Sequence, residues 1–228
     1  TTFLALGWER YLYEFSFCGL MGVKLGALVE RSSLSWEQMR GKSLAVDASN
    51  VLFQFLSSIR QKDGTPLMDS HGTSTSHLMG LFTRVPNLMA KGITPVFVFD
   101  GQPPLLKTRT LQLRRAAKEK ARERYTEAVL EEDLALAGMY ARRFSFLNED
   151  MFAESKELLQ AFGLPVVQAP SEAEAQCAFM AKKKVVWASA SQDYDSLLFG
   201  APKLVLNLTL SATRKLAGGK VVYISPYL

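Results

Sequence analysis

The sequence predicts an α/β fold, a mostly parallel central sheet flanked by helices, and three observations predict it. Short apolar runs rich in valine alternate with stretches of helical spacing: Ser43–Asp47, Thr94–Asp100, Leu164–Val167 and Val185–Ser189. The second of them, TPVFVFD, is nearly continuously apolar, as a strand buried on both faces must be. Acidic residues stand at or just past the ends of these runs. In a parallel sheet those ends share one side of the molecule, where ligands bind.

Composition sets outer bounds. The 228 residues suffice for one good-sized core, and 48% apolar with 21% charged residues is ordinary for a globular chain. The net charge of +5 mildly favours polyanionic partners. Cys18 and Cys177 lack any short spacing, so they give neither a disulfide framework nor a zinc motif, and a reducing intracellular setting is expected. No apolar run reaches the roughly 18 residues of a membrane span. Residues 1–20 are bulky and apolar but carry Glu9, Arg10 and Glu14, unlike a signal peptide.

In chain order, a short helix is expected over Gly26–Glu30, then a polar stretch to Gly41. After the strand at Ser43–Asp47, Val51, Phe55 and Ile59 mark a helix over Asn50–Arg60. Gln61–Gly72 reads as a loop. Ser76–Lys91 reads as a helix that Pro86 should kink or break. Beyond Asp100 the texture changes: Lys107–Arg124 holds eight basic and two acidic residues. Glu127–Phe162 is helical in texture, with breaks near Gly138 and Phe144–Asn148. A helix over Glu172–Lys183 joins the third and fourth strands. Leu204–Leu208 and Lys220–Ile224 read as further strands, the second after a Gly218-Gly219 turn.

The acids are Asp47, Asp100, the pair Glu172 and Glu174, and the pair Asp193 and Asp195. Taken singly, each has a plain structural reading. Ser171-x-x-Glu174 is a capping box, Asp47 and Asp193 can cap the helices that follow, and Asp100-Gly101 can be a turn. The spacing of two within each pair does not serve one helical face, whereas at a strand-to-helix junction both acids can turn to one ion. Gathered at one rim, unpaired carboxylates would cost several kcal/mol each if buried. Hard oxygen ligands suit magnesium, or manganese. Two such ions roughly 3.5–4 Å apart can activate water and stabilise the leaving oxygen of a phosphodiester. No phosphate-loop or dinucleotide fingerprint competes, and His71 and His77, in or beside a Ser/Thr/Gly-rich loop, are expected to be solvated.

Lys107, Arg114 and Lys118 are seven and four residues apart and share a helical face, with Arg115 and Arg122 on the next stripe. A solvated, salt-bridged helix is the plain reading. The excess of basic residues is too one-sided for that alone and suits a phosphate-binding element beside the acids.

MGVKLGAL, AVDASNVLFQFL, TSHLMGLF, PVFVFDGQPPLLK, APSEAEAQCA and SQDYDSLLFG occur in this order between Met21 and Leu228. They resemble the flap endonucleases, the structure-specific 5′ nucleases of archaea and eukaryotes, and the last motif resembles the archaeal form. The resemblance implies a PIN-like 5′ nuclease core over residues 21–228, with a helical arch and cap inserted at about 105–148. It implies that Asp47, Asp100, Glu172, Glu174, Asp193 and Asp195 bind two magnesium ions. It also implies that Lys107 and Arg114 act on the scissile phosphate and that Lys118 continues their face. Phe53 matches an aromatic residue that stacks on the substrate, Arg60 and Arg84 match duplex-binding positions, and Arg115 is placed with them as a DNA contact. The implied reaction is hydrolysis of one phosphodiester at a 5′-flap DNA junction in replication and repair, with accompanying 5′ exonuclease activity. The alternatives are a related repair nuclease and a nuclease-fold DNA-binding module.

Two departures from the family are expected to matter. Its members continue past the position of Leu228 into a helix-two-turn-helix element, a seventh metal-site aspartate and a sliding-clamp motif. Residues 1–228 alone are therefore expected to cleave poorly. Its members also begin at the equivalent of Met21, so residues 1–20 are expected to be a non-native or flexible extension.

Overall fold

The structure is a computed structural model, and it describes residues 28–61, 65–104, 107–131, 133, 140, 147–208, 213–215, 221–223 and 228. The chain forms two units, Thr1–Arg31 and Ser32–Leu228. Of the first, only residues 28–31 are described. Leu28 and Val29 there make a turn and a bend, not the end of the expected Gly26–Glu30 helix. The extension expected over residues 1–20 lies outside the described residues.

The second unit holds the sheet. Its elements are α1 (Trp36–Met39), β1 (Ser43–Asp47), α2 (Ala48–Ser58), α3 (Ser76–Ala90), β2 (Thr94–Phe99), α4 (Thr108–Leu130) and α5 (Glu149–Ala161), followed by β3 (Val166–Gln168), α6 (Ala173–Lys182), β4 (Ala188–Ala190), α7 (Asp195–Leu198) and β5 (Leu204–Val205). Two more strands, β6 (Thr213–Lys215) and β7 (Val221–Tyr223), pair antiparallel as a separate ribbon. The main sheet has five strands in the order β3-β2-β1-β4-β5, and every pairing in it is parallel. Chain direction across the sheet reverses between β1 and β4, which opens a crevice at their carboxyl ends.

Side-chain alternation along the strands divides the core. Leu44, Val46, Phe97 and Phe99 pack on one face with Leu52, Phe55, Leu81, Val85, Leu88 and Leu159 from α2, α3 and α5. Ala45, Val96 and Val98 point the other way, onto Ala173, Cys177 and Ala181 of α6. The small side chains of α6 let its backbone approach the sheet closely, which fixes where its first turn stands. Cys177 is buried there, and burial raises its thiol pKa.

β1 spans the expected residues, and β2 ends one residue before Asp100. β3 and β4 begin later than the apolar runs that announce them, for one shared reason. The N–H of Leu164 bonds the Leu159 carbonyl at 3.1 Å, behind Gly163 at φ 73°. The N–H of Val185 bonds the Met180 carbonyl at 3.0 Å, behind Lys184 at φ 60°. In both places the first apolar residue closes the preceding helix by a left-handed cap and is not free to start a strand. Ile93 does the same behind Gly92 at the end of α3, bonding Leu88 at 3.1 Å.

Other expectations need correcting. α3 runs unbroken through Pro86. Leu81, Val85 and Leu88 are buried in the core and hold the helix together across the missing N–H, and Asn87 Nδ2 caps the Thr83 carbonyl at 2.7 Å. The polar stretch before Gly41 contains α1, whose signature is the capping box Ser35-x-x-Gln38. Among the described residues after Glu127, α4 ends at Leu130, Tyr140 is helical, and α5 begins at Glu149. The break expected at Gly138 lies outside the described residues, as does most of the one at Phe144–Asn148; its described part, Leu147 and Asn148, precedes α5. His77 is not solvated: it is fully buried, with Nε2 2.9 Å from Glu154 Oε2 on α5. Burial lowers its pKa, with Glu154 acting in the opposite sense. Among the described residues, no helix is long and apolar enough to cross a membrane.

Candidate metal centre

Each predicted acid is delivered by the end of a regular element at the carboxyl rim of the sheet. Asp47 is the last residue of β1 and Asp100 the first beyond β2. Glu172 is the N-cap residue of α6 and Glu174 lies in its first turn. Asp193 follows β4, and Asp195 opens α7.

The structural alternatives for these acids are tested by their hydrogen bonds. Asp47 does cap α2, accepting the Asn50 N–H at 3.1 Å. The capping box at Ser171 and Glu174 does not form, since the N-cap of α6 is Glu172 and makes no side-chain cap bond. Asp193 does not cap α7, whose N-cap is Tyr194; its Oδ2 accepts from Asn50 Nδ2 at 2.7 Å. Asp100 is more than a turn residue. Its Oδ1 accepts the Ala173 N–H of α6 at 2.8 Å and its Oδ2 accepts from Ser49 Oγ at 2.5 Å.

Gly101 makes the placement of Asp100 possible. Its N–H bonds the Ser171 carbonyl at 2.6 Å, and a Cβ there would stand 2.2 Å from the Ala169 carbonyl oxygen. Backbone contact that close admits only glycine. Gln168 extends the β2–β3 ladder by one rung: its Nε2 bonds the Asp100 carbonyl at 2.5 Å, and its Oε1 takes a bond from Lys156 Nζ at 2.8 Å.

Electrostatics ties the acids into one field. Asp47 is only 5% exposed, and its carboxyl is pushed up to about 7, first by burial and then by the charges of Asp100 and Asp193. Glu174 is pushed up to about 8, again chiefly by burial, with Asp47, Asp195 and Asp193 adding to the rise and Lys107 opposing it. Glu172 joins through Lys107, whose Nζ lies 2.8 Å from its Oε1. Burial and neighbouring like charges make Asp47 and Glu174 resist ionisation, which is the condition a bound cation relieves. Among the described residues, no three acids already stand at ligand spacing. Ser49, Asn50 and Lys107 hold Asp100, Asp193 and Glu172 on separate partners.

The basic helix is α4, with Lys107 immediately before it. The side chains of Arg114, Arg115 and Lys118 lie outside the described residues. Phe53 is half-buried on α2, and Arg84 half-buried on α3. Arg60 folds back after α2, its Nε donating to the Ser57 carbonyl at 3.3 Å.

Sequence reasoning missed the neutral groups that serve the acids: Ser49, Asn50, Gln168 and Gly101. A signal was present for the first two, in the polar run after the apolar half of AVDASN. Gln168 carried none, because its role is fixed by a strand pairing and by Lys156 on another element.

Residues 21–121 match the XPG N-terminal domain and residues 163–225 the XPG I-region. The chain is 56% identical to flap endonuclease 1 of Thermococcus onnurineus, over 90% of this chain and 60% of that protein. It is 54% identical to flap endonuclease 1 of Pyrococcus furiosus, over 91% of this chain and 62% of that one. It thus spans about 60% of the length of these curated relatives. Among solved structures, flap endonuclease-1 from Methanococcus jannaschii superposes with a TM-score of 0.65 at 44% identity, covering 90% of this chain and 62% of that one. The catalytic core of Rad2 in complex with DNA substrate matches with a TM-score of 0.57 at 32% identity, over 79% of this chain and 47% of that one. With the XPG N-terminal domain and I-region both present in order, together covering most of the chain, and more than half of the aligned residues identical to those of archaeal flap endonucleases, this chain belongs to the XPG and flap endonuclease family.

Proposed function

We propose that this chain carries the catalytic core of a 5′ flap endonuclease, which hydrolyses one phosphodiester at a 5′-flap DNA junction and also trims 5′ ends. The observation that carries the proposal is the coupled carboxylate rim with Lys107 beside it. Two divalent cations fit it, magnesium first and manganese as a substitute. The donors are hard oxygens, and Asp47 and Glu174 resist ionisation near neutral pH for want of positive charge. Asp47, Asp100, Glu172, Glu174, Asp193 and Asp195 would hold the cations. When bound, the cations supply the charge that draws in a phosphodiester and favour water as the attacking group.

The chain's own residues do the rest. Lys107 stands at the edge of the rim, where its ammonium can pair with a non-bridging oxygen and stabilise the charge that builds up on the phosphate. Arg114 would act with it one face along α4, and Lys118 and Arg115 would extend the phosphate track. Phe53 would stack on a base near the cut, and Arg60 and Arg84 would hold duplex phosphates. In this reading residues 21–228 form the nuclease core, with the arch at about 105–148. The partner is branched DNA carrying a 5′ flap, joined in the longer protein by a sliding clamp, and the setting is intracellular. A relative solved with DNA substrate supports a nucleic-acid partner.

The test is Asp193→Ala, made in the natural full-length protein and assayed on a 5′-flap duplex with magnesium. Cleavage should fall at least about 100-fold while flap binding stays within about threefold, because one cation ligand is lost and the phosphate contacts are not. Unchanged cleavage would remove Asp193 from the centre. Binding without cleavage by the parent as well would identify a DNA-binding module on a nuclease fold.

A further inference from the structure

Asn50 touches two of the six carboxylates with two different donors. Its backbone N–H reaches Asp47 Oδ1 at 3.1 Å and its side-chain Nδ2 reaches Asp193 Oδ2 at 2.7 Å. The orientation of the amide is set by chemistry, because an ionised carboxylate only accepts. Asp47 ends β1 and Asp193 follows β4, so the two acids face each other across the crevice where the strand order reverses. Asp193 is exposed, on the loop after β4, where its own N–H bonds Ser191 Oγ at 3.2 Å. The Asn50 amide ties its carboxylate to the residue whose backbone N–H holds Asp47.

The residue type fits that task. A lysine or arginine in this place would bind Asp193 more strongly but would put a fixed positive charge where a cation is wanted. An aspartate would add repulsion, and a serine is too short to reach. An amide donates without net charge.

We propose that Asn50 is a positioning residue that holds Asp193 at a fixed separation from Asp47, and so sets the affinity of the rim for divalent cations. The proposal rests on reading the carboxylates as a metal centre.

The experiment is a double-mutant cycle read by calorimetric titration with Mn²⁺ and no DNA. Asn50→Ala and Asn50→Leu are each made in the parent and in an Asp193→Ala background. Leucine keeps the side-chain volume, so thermal melts of the two variants separate misfolding from loss of the donor. In the parent background both variants should weaken Mn²⁺ binding by about two- to tenfold, the net worth of a typical hydrogen bond. In the Asp193→Ala background they should change it by less than about twofold, since the group they position is gone. Asn50→Gln, which keeps the amide, should recover part of the loss.

Unchanged affinity on losing the Asn50 side chain overturns the proposal. So does an equal loss in both backgrounds, which would mean that Asn50 acts through the fold at large. If Asp47→Ala and Asp193→Ala weaken Mn²⁺ binding and the Asn50 variants do not, the metal centre stands and only the positioning role falls. If those two aspartate variants also leave Mn²⁺ binding unchanged, the centre falls and takes the positioning role with it.

Discussion

Asp47 carries two burdens on one side chain. It caps α2 through the Asn50 N–H, and it is the most buried acid of the rim. Burial outweighs the cap, so its carboxyl rises from an ordinary 3.8 to about 7, and that of Glu174 from 4.5 to about 8. The sign of the consequence follows from proton counting. Between the ordinary and the raised values the folded chain holds more protons than the unfolded one, so raising the pH favours unfolding. Without divalent ions, thermal stability should therefore fall from about pH 4 to about pH 8. A cation repays the two acids for ionising, so magnesium or manganese should raise the melting temperature more at about pH 8 than at about pH 5. Asp47→Asn should flatten the metal-free decline. Scanning calorimetry at both pH values decides it, and a metal-induced rise of equal size at each would contradict the account. At this scale the acids were legible in the sequence, because a buried strand that ends in a carboxylate is conspicuous. Their neutral partners were not. Asn50 meets Asp193 across 143 residues of chain and Ser49 meets Asp100 across 51, distances that no local pattern encodes.

At the scale of elements, the helices explain both what could be read and what shifted. β1 and β2 were legible nearly to the residue because buried parallel strands leave unbroken apolar runs. β3 and β4 slid by two or three residues because Leu164 and Val185 finish helices before any strand begins. Apolarity alone cannot separate those two jobs; the left-handed residue before each is the sign to look for. α3 shows the converse, a local rule overruled by packing. Pro86 removes an N–H from the helix interior, yet buried Val85 and Leu88 on either side keep the helix continuous. The proline is thus a tolerated cost that no rim residue needs. Pro86→Ala should restore the bond to the Phe82 carbonyl and stabilise the fold by about 1–3 kcal/mol. Cleavage should stay unchanged, since α3 packs on α2 and α5 away from the acids. Chemical denaturation measures the first outcome, and a loss of stability would mean that α3 is bent around the proline and relies on it.

For the whole molecule the question is where positive charge is spent. The chain carries a net +5, and the eight basic residues from Lys107 to Arg124 begin within reach of the acids: Lys107 is half exposed, yet it already pairs with Glu172 at 2.8 Å. A cation at the rim and a phosphate outside it therefore compete for connected partners. Without divalent ions Glu172 holds Lys107, whose charge then releases no counterion when DNA binds. With calcium, which occupies oxygen sites without supporting the reaction in this reading, Glu172 has another partner and Lys107 is free for a phosphate. Each phosphate neutralised adds about 0.9 to the salt slope of DNA affinity. Lys107→Met should therefore reduce the magnitude of that slope by about 1 when flap binding is measured in calcium, and leave it unchanged in chelator. Lys120→Met, on the same basic segment but further along α4, should give the same change in both conditions. Fluorescence anisotropy across a salt series makes both comparisons. A Lys107 effect of equal size with and without calcium would show that its pairing with Glu172 does not govern its access to DNA, and the link between the metal rim and the basic helix would have to be abandoned.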